Sequence, residues 1–455
     1  MAKTRSPSSE PLKDDAALAE ATAALREANL AFAAAHLGEG AGRQPVHTVY
    51  GGAQLFGADS VPKLGRIALA AMDRYAPDAA ALGRALDIGD HPALATIAER
   101  VRGKLEREPI EDFRIDFEDG YGNRPNAEED GHARQVVAEL AAGAKAGTLS
   151  PFIGMRVKPL NEELRARSVR TLDLVTTGLV EAAALPERWV VTIPKITIIE
   201  QVEYTVALLR GLERKLGLAD RTLSFEAMVE TPQIVLDTSG RALLPRLLEA
   251  SDGRLRGAHF GTYDYTAGIN ITAAHQRMRH RACDFAKHFM QVAFAGTEVW
   301  LSDGSTTVMP VPVHRTTEGG PALTAAQEAD NSASVHAAWK LHFDDVRHSL
   351  AGGFYQGWDL HPAQLVSRYG ALYSFFLEGI ESAGGRLSNF VQKAAQATLV
   401  GDVFDDAATG QGLLNFFLRG INSGAITEAE ALKMTGLSAD DFRSRSFVKI
   451  MKARA

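Results

Sequence analysis

Eight short apolar segments recur along the chain, each separated from the next by a longer stretch with helical spacing, and few folds accept that rhythm. The segments are 46–51 (VHTVYG), 113–119 (FRIDFED), 151–159 (PFIGMRVKP), 189–195 (WVVTIPK), 223–231 (LSFEAMVET), 255–262 (LRGAHFGT), 297–303 (TEVWLSD) and 354–362 (FYQGWDLHP). Between them, stretches such as 199–218 place apolar residues three and four apart and end at a glycine, which is the pattern of an amphipathic helix. Strands that alternate with helices pair in parallel. Eight such units predict an α/β fold, a closed (β/α)8 TIM barrel, with a doubly wound open sheet as the main rival.

Three regions depart from the rhythm. The gap at about 62–112 is too long for one helix and predicts a helical insertion after the first strand. After the seventh strand, SDGSTTVMPVP carries an Asp-Gly pair between apolar residues, which predicts a hairpin turn. The small, polar segment 315–335 predicts a mobile surface loop or lid. From about 370 onward the pattern is helical. The organisation expected is therefore a tail and helix over 1–45, a barrel over 46–368 and a C-terminal helical domain over 369–455.

Composition narrows the function classes. The chain has 455 residues, a formal charge of −7 and 45% hydrophobic content, so it offers no electrostatic footprint for nucleic acid and ample material for a core. No apolar run approaches the roughly 18 residues that a membrane helix needs. The N-terminus has basic residues without an apolar region behind them and reads as a frayed tail. Cys283, the single cysteine, fits a reducing, cytoplasmic setting and a packed, unreactive thiol. His275, His280 and His288 share one helical stretch but lack the spacing of a zinc site.

In a parallel barrel, reactive groups come from the C-terminal ends of the strands. Charged or polar residues stand at that end in six segments: Glu118 and Asp119, Arg156 and Lys158, Lys195, Glu230, Asp264, and His361. In FRIDFEDGYG, Phe113, Ile115 and Phe117 alternate with Arg114, Asp116 and Glu118, so the charged face points into the barrel, where other strands supply partners. Glu226 and Glu230, four apart, share a face. Glu226 lies deeper and is expected to pair with an inward Arg or Lys. Asp264 follows the sixth strand behind a glycine that lets backbone approach a ligand closely. Carboxylates at neighbouring strand ends suit a hard cation such as Mg²⁺, and ordinary solvated carboxylates are the alternative.

Six stretches in order resemble the HpcH/HpaI aldolase and citrate lyase β-subunit family, related to malate synthase and malyl-CoA lyase. They are IDFEDG (115–120), MRVKP (155–159), IPK (193–195), MVETP (228–232), FGTYDYT (260–266) and DLHPAQ (359–364). The resemblance implies a (β/α)8 barrel that makes or breaks a carbon–carbon bond beside a 2-oxo acid or acyl thioester through an enolate. It implies that Glu230 and Asp264 hold Mg²⁺ (or Mn²⁺) and that Arg156 faces the substrate carbonyl or carboxylate. Asp119 falls where the aldolase branch has a histidine and the lyase branch an acid, with Glu118 before it and Lys195 near the site. A homo-oligomer is also implied.

The first functional expectation is a Mg²⁺-dependent carbon–carbon lyase or aldolase acting on a small 2-oxo acid of the pyruvate, oxaloacetate or glyoxylate type. One alternative is an acyl-CoA lyase or synthase. The thioester branch opens with Arg-Ser at the first strand, however, where this chain has His47-Thr48. The other alternative is a non-catalytic barrel subunit of an assembly. In the malate synthase and malyl-CoA branches a C-terminal acid completes the site; Asp402, Asp405 and Asp406 are the acids available here, and solvated carboxylates are the plainer reading of them.

Overall fold

Strands whose alternate residues face a shared interior close on themselves when each has a parallel neighbour on both sides, and this chain does so. The computed structural model describes residues 16–36, 38, 42–316, 320–392, 398–400, 403–405 and 407–454. The frayed tail expected at the N-terminus falls largely outside them. The first helix, α1 (Ala16–Ala35), precedes β1 (His47–Gly52). The insertion then supplies three helices: α2 (Ser60–Tyr75), α3 (Ala79–Leu86) and α4 (Leu94–Arg107).

From there strand and helix alternate: β2 (Asp112–Asp116), α5 (Asn126–Ala146), β3 (Phe152–Arg156), α6 (Arg165–Glu181), β4 (Trp189–Ile193) and α7 (Ile199–Leu216). Next come β5 (Ser224–Val229), α8 (Pro232–Val235), α9 (Leu244–Ala250), β6 (Leu255–Phe260), α10 (Thr262–Gly268), α11 (Arg281–Phe294) and β7 (Trp300–Ser305). The barrel is completed by α12 (Ala325–Ala351), β8 (Gln356–Asp359) and α13 (Gln364–Glu378). After it lie α14 (Ile380–Gln392), a short antiparallel pair of β9 (Thr398–Val400) and β10 (Val403–Asp405), and α15 (Ala407–Asn422), α16 (Glu428–Thr435), α17 (Ala439–Ser444) and α18 (Phe447–Arg454). The strands β1 to β8 form a closed parallel barrel in sequence order. The C-terminal region is thus helical with one small hairpin. Asp402 and Asp406, and the side chain of Asp405, lie outside the described residues.

Two expectations are corrected. Asp303-Gly304 makes no hairpin; it sits inside β7, which pairs in parallel with β6 and β8. The register against β8 slips between Ser302 and Ser305, so the pair forms a bulge, and Asp303 is tied down by Lys287 (2.9 Å) and Ser349 (2.6 Å) from the covering helices. The expected lid does not extend to 335, because Thr324 and Gln327 form a capping box that starts α12 at Ala325. Residues 317–319 of that segment are outside the described residues.

The helix α13 is buried on nearly every face, with only Phe375 and Glu378 escaping full burial. It packs against α12 on one side and against α2 and α4 of the insertion on the other. Its sequence, QLVSRYGALYSFFLE, accordingly spreads apolar residues around the helix instead of confining them to one stripe. The boundary expected between 368 and 369 falls inside this helix. The polar residues of α13 serve a buried network: Arg368 binds Asp359 of β8 (2.7 Å), which also meets His47 (2.8 Å) and His342 (3.0 Å). Asp359 is held well below the usual carboxylate range against its burial by Arg368 and the two histidines. Among the described residues, no helix is long and apolar enough to cross a membrane.

Candidate active site

Period two sends Asp112, Arg114 and Asp116 of β2 inward, as the sequence predicts, and the same parity on β5 sends Glu226 to meet them. Arg114, 1% exposed, bonds Glu226 through Nη2 (2.8 Å) and Nε (3.2 Å) and also binds Asp112. His259 of β6 adds its Nε2 to Glu226 at 2.9 Å. The inward partner expected for Glu226 is therefore Arg114. Burial would raise Glu226, but Arg114 and His259 hold it at about 2.

One layer up, at the C-terminal rim, a second cluster assembles from five strand ends. Arg156 closes β3 with its guanidinium 1% exposed; Nε and Nη2 grip Asp116 at 2.8 and 2.6 Å. Asp116 is itself fixed by the backbone N–H groups of Glu118 (2.9 Å) and Gly120 (2.7 Å). The guanidinium lies over the rings of Tyr50 (4.8 Å) and Trp358 (5.4 Å), which project inward from β1 and β8. Its third nitrogen, Nη1, forms a buried ion pair with Glu118 Oε2 at 2.9 Å without the alignment of a hydrogen bond, and neither atom has a hydrogen-bond partner.

Lys195 links the acids. It follows β4 in the left-handed conformation (φ 52°), which is uncommon for a residue with a Cβ. There its backbone N–H donates to Glu230 Oε1 (2.7 Å) while Nζ reaches Glu118 (2.5 Å), Asp119 (3.2 Å) and Asp264 (3.7 Å). Burial works against its charge, but Glu118, Glu230 and Asp119 raise the ammonium above its ordinary value. Glu230 is buried at the end of β5. Its carboxyl is pushed up to about 8 by that burial and by the negative charges of Glu118 and Asp264. Gly261 makes this possible: a Cβ there would come within 2.5 Å of Glu230 Cβ. That glycine therefore makes room for Glu230; the expected role was close approach of backbone to a ligand.

The six residues to which the resemblance gives a place at the site, Glu118, Asp119, Arg156, Lys195, Glu230 and Asp264, thus meet at one rim. Two other residues read at strand ends, Lys158 and His361, have no hydrogen-bond or ion-pair contact with them. Lys158 lies behind the barrel wall against Glu129 of α5 (2.9 Å) and the carbonyl of Phe117 (2.6 Å). His361 turns to accept the backbone N–H of Ala363 (3.1 Å). Sequence reasoning passed over Tyr50, Trp358 and the anchoring role of Asp116. The signal for the two rings was their inward parity on the first and eighth strands. Cys283 is buried, and its thiol is pushed up to about 12 by that burial, so it is no nucleophile.

Comparison with known proteins sets these features in context. The family model described as a domain of unknown function, DUF6986, matches residues 25–450. The chain belongs to this family. No curated protein sequence matches it. Among solved structures, a citrate lyase from Burkholderia xenovorans LB400 is 17% identical with a TM-score of 0.54, covering 86% of this chain and 96% of that one. A Haloferax volcanii malate synthase in a magnesium/glyoxylate complex is 13% identical with a TM-score of 0.47, covering 91% and 99%. The CitE protein of Mycobacterium tuberculosis in complex with magnesium, acetoacetate and coenzyme A is 13% identical, also with a TM-score of 0.47, covering 84% and 98%. At these identities the first likeness speaks for the fold, a TIM barrel, which the sheet order shows independently.

Proposed function

We propose that this barrel is a carbon–carbon lyase or aldolase that acts on a small 2-oxo acid through an enolate, with Mg²⁺ or Mn²⁺ as its cofactor. The observation that carries this reading is the unsatisfied edge of Arg156. A guanidinium that is buried, clamped on two nitrogens by Asp116 and stacked on two rings meets Glu118 through Nη1 only as an unaligned ion pair (2.9 Å), an edge that an incoming oxygen can take over. A substrate carboxylate or keto oxygen is such an acceptor, and a fixed guanidinium meets it without reorganising.

The donor set fits a hard divalent cation. Glu230 and Asp264 offer oxygen ligands, and the raised carboxyl of Glu230 marks a place where positive charge is in deficit. Among the described residues no group of three or more His, Cys, Asp or Glu side chains is arranged to hold a metal. Two carboxylates suit Mg²⁺, which usually keeps several waters and takes further oxygens from its substrate. Bound there, the cation would supply Lewis-acid stabilisation of the enolate oxygen. The remaining work falls to the chain's own residues. Arg156 binds and orients the oxo acid, and Tyr50 and Trp358 wall the pocket against water. Lys195 holds Glu118 and Asp119 in place, and Glu118, raised by burial and by Asp119, is the carboxyl placed to carry a proton beside Arg156.

The test is turnover of a panel of 2-oxo acids and their aldol adducts, together with titration of Mg²⁺ and Mn²⁺ into the wild type, Glu230→Gln and Asp264→Asn. Cleavage or condensation that needs the metal, with metal affinity lost in both variants, is the expected result. Full activity and metal binding in both variants would overturn the reading. A thermal shift with acyl-CoA esters but not with free oxo acids would move it to the thioester branch.

A further inference from the structure

A cavity lies at the opposite end of the barrel from the six-residue rim. It has a volume of about 660 Å³ and lies beneath the N-terminal ends of the strands, between the starts of β7 and β8 and the helices α15, α17 and α18. Its roof includes Trp300, which starts β7 and packs edge-on against Phe152 of β3. Its floor and wall come from one face of α15, from the turn at Ser444–Ser446 and from Lys449.

The lining is cationic in a chain whose formal charge is −7. Arg419, Arg445 and Lys449 border the cavity, and among its described lining residues Glu298 is the one carboxylate. Arg419 is held in place: Nη1 donates to Gln44 Oε1 (2.7 Å), and its guanidinium lies 4.8 Å from the ring of Tyr355. Arg445 ends α17 in the left-handed conformation (φ 52°), and that backbone turn presents it at the cavity. The remaining polar lining is mostly neutral amide, with Gln411 donating to Asn415 (2.8 Å). A volume of this size matches small-molecule sites, whose usual range is about 300–1,000 Å³. Two guanidiniums and an ammonium around it select for multiple negative charge, and arginine forks fit phosphate and carboxylate alike.

We propose that this cavity is a second ligand site, separate from the rim, that binds a compact organic polyanion bearing phosphate or carboxylate groups. An occupant touching Arg419 and Arg445 bridges α15 and the end of α17, so binding stabilises the packing of these C-terminal helices on each other.

The experiment measures thermal unfolding and calorimetric binding of the full chain with pyrophosphate and, separately, tricarballylate. Chelator is present to remove divalent metal, and ionic strength is matched with sodium chloride. The variants are Arg445→Glu/Lys449→Glu and, as a milder change at an exposed position, Lys449→Glu alone. A saturable rise in melting temperature is expected with at least one probe, together with affinity at least about tenfold weaker in the double variant, as the loss of charge-assisted hydrogen bonds implies. A response to only one probe supports the site and identifies its anion. No saturable response to either probe, or equal binding by wild type and both variants, overturns it.

Discussion

Glu226 and Glu230 stand four residues apart at the same strand, and the protein treats their carboxyls in opposite ways. Glu226 sits between Arg114 and His259 and is driven down to about 2, whereas Glu230 faces Glu118 and Asp264 and is driven up to about 8. The inner cluster is closed, because Arg114 binds both Asp112 and Glu226, His259 adds to Glu226, and Thr48 donates to the other oxygen of Asp112. The rim is open. Five carboxylates (Asp116, Glu118, Asp119, Glu230 and Asp264) share two basic groups, Arg156 and Lys195, and the pair of Arg156 Nη1 with Glu118 Oε2 is buried without an aligned hydrogen bond. Buried charge serves architecture in the first case; in the second it is arranged to receive something from outside the chain.

Breaking the inner cluster should have the largest effect on stability. Arg114→Met leaves Asp112 and Glu226 buried without their cation and should cost about 3–5 kcal/mol, read from urea unfolding. A loss under about 1 kcal/mol would erase the distinction between the two layers. Glu230→Gln should do the reverse. It removes an acid that is costly to ionise, so stability should hold or rise while turnover of the oxo-acid substrate falls about 100-fold or more. Trp358→Leu strips one face from the Arg156 guanidinium and should lower kcat/KM by a factor between about 2 and 30, the range of a cation–π contact, with unfolding little changed.

The finest test is pH dependence in metal-free buffer, where the two glutamates should produce opposite slopes. With its folded value near 2, Glu226 binds fewer protons in the native state than in the unfolded state, so its stabilisation is lost as pH falls from about 4.5 to about 2. With its folded value near 8, Glu230 binds more, so its contribution is lost as pH rises from 4.5 to about 8. Melting curves of Glu230→Gln should therefore flatten relative to wild type in the upper window and coincide in shape in the lower one. Parallel curves in the upper window would show that Glu230 does not titrate as described.

Much of this contrast was legible in the sequence because strand parity is strict. Once FRIDFED is read as a strand, Arg114 and Asp116 must face inward, and a deep Glu226 needs a cation. Parity fails where strands end. Lys158 has the parity of Arg156, but β3 stops at Arg156 and the lysine turns outward to Glu129. His361 shares its parity with Asp359, which faces the helices, so the sequence could have excluded it from the rim. Asp303-Gly304 is a strong local turn signal, and it lost to the ladders on both sides of β7 and to the ion pair with Lys287. Tyr50 and Trp358 carry no motif. Only barrel closure, which makes the first and eighth strands neighbours, brings their rings within 4.3 Å of each other and onto one guanidinium.

A TIM barrel ordinarily shows water the outer surface of every helix in its ring, but α13 has no such surface left, since α2 and α4 have taken it. The three extra helices are therefore a second wall. Shortening the chain to the length of a minimal barrel by excising them would strip the cover from the face of α13 that carries Tyr369, over whose ring Lys104 of α4 lies, and leave buried apolar surface open to water.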